Sequence, residues 1–108
     1  MNLIACEEID WHDCVIRSVL ISPVNDQVEL LVDYPVNWDE NQWAPRVLKF
    51  LDAHGYKEYE GPFAGTPTIL AATSSTQQNG WKLIRLDTNA GFREVFCKGI
   101  SLELPATG

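Results

Sequence analysis

VIRSVLISPVNDQVELLVDY, residues 15–34, decides the fold class. Along Val15 to Ile21 the odd positions read Val, Arg, Val, Ile; along Val28 to Tyr34 the even positions read Val, Leu, Val, Tyr, with Glu29 and Asp33 pointing the other way. This period-2 alternation of β-branched and aromatic residues is the signature of half-buried strands. Pro23, Asn25 and Asp26 between the runs are turn residues. A hairpin loop of two or four residues places both apolar rows on one face, and a register slip of two would keep them there.

The same pattern recurs outward from this hairpin. Residues 68–73 read as a strand, Asn79-Gly80 is a tight-hairpin signal before residues 81–86, and the turn 88–91 leads into Phe92 to Phe96. Gly99 interrupts that last run and predicts a bulge, after which Ile100, Leu102 and Leu104 alternate with Ser101 and Glu103. In the middle, Asp39 to Gln42 has the composition of one helical turn that Pro45 keeps short. Residues 46–52 fit helix or strand by pattern alone, and residues 53–67 read as a Gly/Pro-rich loop. The reading is a single mainly β domain over residues 1–108: six or seven antiparallel strands in a curved sheet or small barrel, with at most one or two short helical turns.

A chain of 108 residues with 45% hydrophobic content and four Trp, four Phe and three Tyr can build a core without metals or disulfides. Cys6, Cys14 and Cys97 are an odd, widely spaced set, so free thiols and a cytoplasmic setting are expected. Leu3 to Cys6 imitates a lipoprotein cleavage box, but without a basic start and apolar stretch before it. Leu104 to Gly108 spells the pentapeptide of cell-wall sorting enzymes without a following apolar segment. No run approaches the roughly 20 apolar residues of a membrane span.

Charge is unevenly spread. Residues 1–40 hold nine acids and one base, Arg17, within a net charge of −7 for the whole chain. Such an acidic half argues against nucleic acid, whose phosphates need clustered Lys and Arg, and favours a basic protein partner. The loop residues Trp38 and Trp43 beside Asp39 and Glu40 combine aromatic area with negative charge, as a protein-binding surface does.

"WHDC" at residues 11–14, "WAPRVLKF" at 43–50 and the closing "GWKLIRLDTNAGFREVFCKGISLEL" at 80–104 together resemble a family of small uncharacterised bacterial β-rich proteins. That resemblance spans nearly the whole chain and implies that residues 47–51 form a strand; it implies no reaction or cofactor. The His-Asp opening before a β-meander is also similar to immunity proteins of bacterial polymorphic toxins.

Two chemical readings attach to the opening segment. If residues 10–14 are extended, Asp10, His12 and Cys14 share one face, a superficial nucleophile arrangement for a small-molecule or enzymatic role. Same-face neighbours on one strand sit too far apart for the hydrogen bonds of a nucleophile and its base, and Asp13 points away from His12. The alternative has His12 bonded to a carbonyl or carboxylate and Cys14 packed as a small hydrophobe. The soft ligands Cys6, His12, Cys14, His54 and Cys97 match no zinc spacing, so neither metal nor cofactor is expected. The sequence thus points to a non-enzymatic binding module, with a small-molecule protein around His12 or a structural homo-oligomer subunit as alternatives.

Overall fold

The structure, a computed structural model, describes residues 3–62 and 65–105. Phe63, one of the aromatics available to the core, and the end of the Leu104–Gly108 pentapeptide lie outside the described residues. The fold is mainly β: the described residues form eight antiparallel strands in two four-stranded sheets and two short 3₁₀ turns, Cys6–Glu8 and Gln78–Gly80.

The strands are β1 (Val15–Ser22), β2 (Gln27–Asn37), β3 (Gln42–Leu51), β4 (His54–Glu60), β5 (Ile69–Thr76), β6 (Lys82–Thr88), β7 (Gly91–Cys97) and β8 (Gly99–Glu103). One sheet runs β1-β2-β3-β8 and the other β4-β7-β6-β5. The count exceeds six or seven because two passes of the chain are each bent into two strands. β3 turns into β4 at Asp52, whose φ of 52° makes the corner, and β7 turns into β8 at Lys98. The ladder of Leu51 with Gly99 in the first sheet therefore continues as His54 with Phe96 in the second. Strands that switch sheets at a bend are how a β-sandwich makes a corner.

β1 and β2 pair as the alternation requires, Val19 with Leu30 and Ile21 with Val28, across a four-residue loop. Arg17 is an extra residue in β1, and this bulge reverses the faces before it, so Ile16 is buried while Val15 and Arg17 turn outward. Of residues 46–52, ambiguous by pattern, 46–51 extend as part of β3 because β2 and β8 flank them, and Asp52 makes the corner. Residues 54–60 are a strand and not loop: β4 carries polar residues on both faces, which hides its period from hydropathy. At residues 38–41 a turn replaces the expected helical turn, closed by Asn41 at φ 52°. Asn79 and Gly80 take φ of 62° and 80°, the left-handed pair that a tight hairpin turn demands.

One core joins the sheets. Phe50, Leu30, Leu48, Val32, Ile69 and Ile84 are fully buried, with Cys14 and Cys97 among them as small hydrophobes. At one end the sandwich is pinned where the edge strands meet: Val15 bridges Thr68, and Ile16 N donates to the Pro67 carbonyl at 2.8 Å. Beyond that point β1 and β5 part. No helix of the described residues is long and apolar enough to cross a membrane.

Candidate functional site

The opening segment folds by burying alternate residues. The Trp11 ring stacks 6.4 Å from Phe50 at 19°, and its Nε1 donates to the Cys6 carbonyl at 2.8 Å. Asp10 N donates to Tyr34 Oη at 2.9 Å. The Cys14 thiol is fully buried and donates to the Asp10 carbonyl at 3.1 Å. Burial, with Asp10, Asp13 and Asp33 nearby, pushes this thiol up to about 12, so the thiolate that a nucleophile needs does not form at neutral pH. His12 lies on the opposite side of the backbone, its side chain 68% exposed.

Asp10, His12 and Cys14 therefore do not converge. The expectation that Asp13 points away from His12 is corrected as well. Asp13 adopts φ 70°, which breaks strand alternation and brings its Oδ2 to 3.0 Å from His12 Nδ1. Cys14 packs as the structural alternative anticipated. Among the described residues, no three His, Cys, Asp or Glu side chains gather into a metal site.

At the far end of the first sheet, the tip of the β2–β3 hairpin gathers Trp38, Asp39, Glu40 and Trp43. Pro35 pairs with Trp43 and Asn37 with Gln42, the offset between them leaving Val36 as a bulged residue. The turn is held from within: Asn41 N donates to the Trp38 carbonyl at 3.1 Å, and Glu40 N to Asn37 Oδ1 at 3.2 Å. Trp43 Nε1 donates to Asn41 Oδ1 at 3.1 Å, and Gln42 Nε2 to Glu40 Oε2 at 2.9 Å. The two indoles meet edge to face at 5.3 Å and 78°, the arrangement that aromatic quadrupoles favour. They nonetheless remain 49% and 37% exposed. Asp39 and Glu40 are exposed and form no ion pair among the described residues.

Folding sharpens the charge asymmetry. Residues 3–51 and 99–105, which carry the first sheet, hold ten acids and three bases; residues 52–62 and 65–98, which carry the second, hold five of each. The whole net charge of −7 thus belongs to the sheet that carries the tryptophan tip.

Sequence reasoning missed a polar cluster in the mouth of the second sheet. Arg93 lies in the inward row of β7 with Val95 and Cys97, where an apolar residue would continue the pattern. Its Nε and Nη2 donate to the two oxygens of Glu60 at 2.9 Å each, and its Nη1 donates to Tyr56 Oη at 3.0 Å. Thr88 Oγ1 completes the Glu60 contacts at 2.9 Å. A cation in register with core positions was the readable signal. On the outer face, Tyr59 stacks on Phe92 at 4.6 Å, and Arg85 sits 4.0 Å from the Phe92 ring centre.

No family model matches the chain, and no curated protein matches it. Among solved structures it is similar to a crystal structure described as an uncharacterized protein from Neisseria gonorrhoeae, with 12% sequence identity and a TM-score of 0.57. That likeness covers 87% of this chain and 93% of the other. It shows a shared fold.

Proposed function

We propose that the protein is a non-enzymatic binding module that engages a basic surface of a protein partner through the β2–β3 hairpin tip. The observation that carries this reading is the Trp38–Trp43 pair, fixed edge to face yet left partly open to solvent, beside two exposed carboxylates that form no ion pair among the described residues. Rigid aromatics at a hairpin tip lose little conformational entropy on binding, and exposed indole area is what interface centres are enriched in. The surrounding acids steer a basic partner without needing direct contact. The resemblance to toxin immunity proteins is consistent with this chemistry, since neutralising a basic toxin surface calls for an acidic face with hydrophobic anchors. The cytoplasm, where the three thiols stay reduced, is the proposed setting.

The test is affinity purification on the immobilised chain, followed by binding measurements with the recovered partner. Binding should weaken steeply with salt, drop at least about tenfold in Trp38→Ala or Trp43→Ala, and drop further in the Asp39→Lys/Glu40→Lys double variant. A partner whose affinity is unchanged in all three variants would overturn the assignment of the tip.

A further inference from the structure

β1 is an edge strand of the first sheet, remote from the hairpin tip in sequence and carrying none of its residues. Beyond Ile16, no described backbone group pairs with the outer edge of this strand. Edge strands with unpaired N–H and C=O groups normally carry Lys, Pro or an inward charge that prevents pairing with another chain. After the Arg17 bulge, β1 has none of these. It reads Ser18-Val19-Leu20-Ile21-Ser22, and Leu20 and Ile21 are 60% and 54% exposed. β5, an edge strand of the second sheet, ends by contrast in the polar run Thr73-Ser74-Ser75-Thr76.

Two observations identify what covers this edge. The five residues are a palindrome in side-chain type: serine, β-branched, leucine, β-branched, serine. An antiparallel pairing of the strand with itself, about a two-fold axis through Leu20, sets Ser18 against Ser22, Val19 against Ile21 and Leu20 against Leu20. This is the self-complementarity that a two-fold interface requires. It also sets no charge against a like charge. In the same register, Arg17 lies beyond Ser22 of the second copy, against its turn 23–26, which carries exposed Asp26. We infer that β1 pairs with β1 of a second copy of this chain, joining two four-stranded sheets into one eight-stranded sheet.

The pairing accounts for the apolar exposure on both faces of the strand. Val19 and Ile21 belong to the inward row, opposite Leu30 and Val28, yet Ile21 stands open because β5 has parted from β1. A neighbouring strand covers it. On the outer face Leu20 lines a shallow cleft of about 220 Å³ with Leu31 and Val47, and the second Leu20 arrives at its rim.

Light scattering on the purified chain at high-micromolar concentration should give twice the 12.2 kDa chain mass. Leu20→Lys sets two like charges at the axis and should weaken dimerisation about 100-fold or more, with circular dichroism and melting showing the fold retained at this exposed site. Leu20→Cys should form a disulfide-linked dimer on mild oxidation, because directly opposed strand residues lie within disulfide range; Leu70→Cys on the β5 edge should not. The Asp39→Lys/Glu40→Lys variant should remain dimeric, which separates this inference from the tip reading. A wild-type monomer, an open-ended oligomer, a dimer that survives Leu20→Lys, or cross-linking through residue 70 and not 20 would overturn it.

Discussion

The guanidinium of Arg93 grips the carboxylate of Glu60 through two hydrogen bonds of 2.9 Å, with both side chains almost withdrawn from solvent. Burial pushes the Glu60 carboxyl up, but the hydrogen bonds from Arg93 and Thr88 outweigh it and hold it below the usual carboxylate range. A carboxyl depressed in the folded state stabilises the protein above its unfolded pKa, and that stability is lost as pH falls through the folded value. Thermal melts should therefore hold steady from neutral pH down to roughly pH 4.5 and then decline. In Glu60→Gln the melting temperature should be lower at neutral pH, the loss being about 1 to 3 kcal/mol, because Arg93 loses its bidentate carboxylate and keeps only Glu58 at 3.5 Å and Tyr56 Oη at 3.0 Å. The acid decline should flatten with it. An unchanged pH profile in the variant would remove Glu60 as its source.

Gly91 opens β7 at φ 148°, and a Cβ placed there would sit 2.1 Å from the Tyr59 carbonyl oxygen of β4. Neither the backbone conformation nor the neighbouring strand leaves room for a side chain. Gly91→Ala should destabilise the fold by about 2 kcal/mol or more, read from urea unfolding midpoints. Gly61→Ala, where no atom lies within 4 Å of the added methyl, should change stability by less than about 0.5 kcal/mol.

All three thiols are buried, Cys14 and Cys97 completely and Cys6 at the floor of a cleft beside Leu3 and Lys82. Desolvation pushes Cys14 up to about 12 and Cys97 up to about 11, and burial, with Glu7 adding to it, raises Cys6. Labelling by a thiol reagent at neutral pH should proceed only through unfolding, so all three should react slowly in buffer and at once in denaturant. Fast labelling of a single cysteine in the native protein would contradict this packing.

Trp38 and Trp43 meet edge to face at a partly exposed tip, outside the buried core. Single replacements by alanine should each cost under about 1 kcal/mol, and a double-mutant cycle should return a coupling of about 0.5 to 1.5 kcal/mol for the edge-to-face pair. A coupling near zero would mean that the rings do not hold each other at the tip in solution.

The inner-face row of β2 was readable because every inward position from Val28 to Tyr34 is apolar and every second residue turns away, and Val19 and Ile21 of β1 follow it; before them the Arg17 bulge turns Ile16 inward in place of Val15, which the alternation did not record. The Asn79-Gly80 turn was readable because those two residues accept left-handed backbone cheaply. β4 was not, since both of its faces are polar and its strand character comes from pairing with β7 across the sheet. The corner at Lys98, one residue before the bulge expected at Gly99, follows from the need of β8 to pair with β3 while β7 pairs with β4.

Local chemistry thus determined that β1, β2 and β5 to β8 extend, where the Asn79-Gly80 turn falls, and that the acids crowd the first part of the chain, because each depends on neighbours in sequence. Only the tertiary structure decided that Asp13 swings round to His12 while Cys14 is sealed beneath, that Arg93 finds its counter-ion 33 residues away at Glu60, and that β1 is left with an open edge. Those outcomes depend on which strands become neighbours when the core closes. Burial assigns them, and no periodicity along the chain records it.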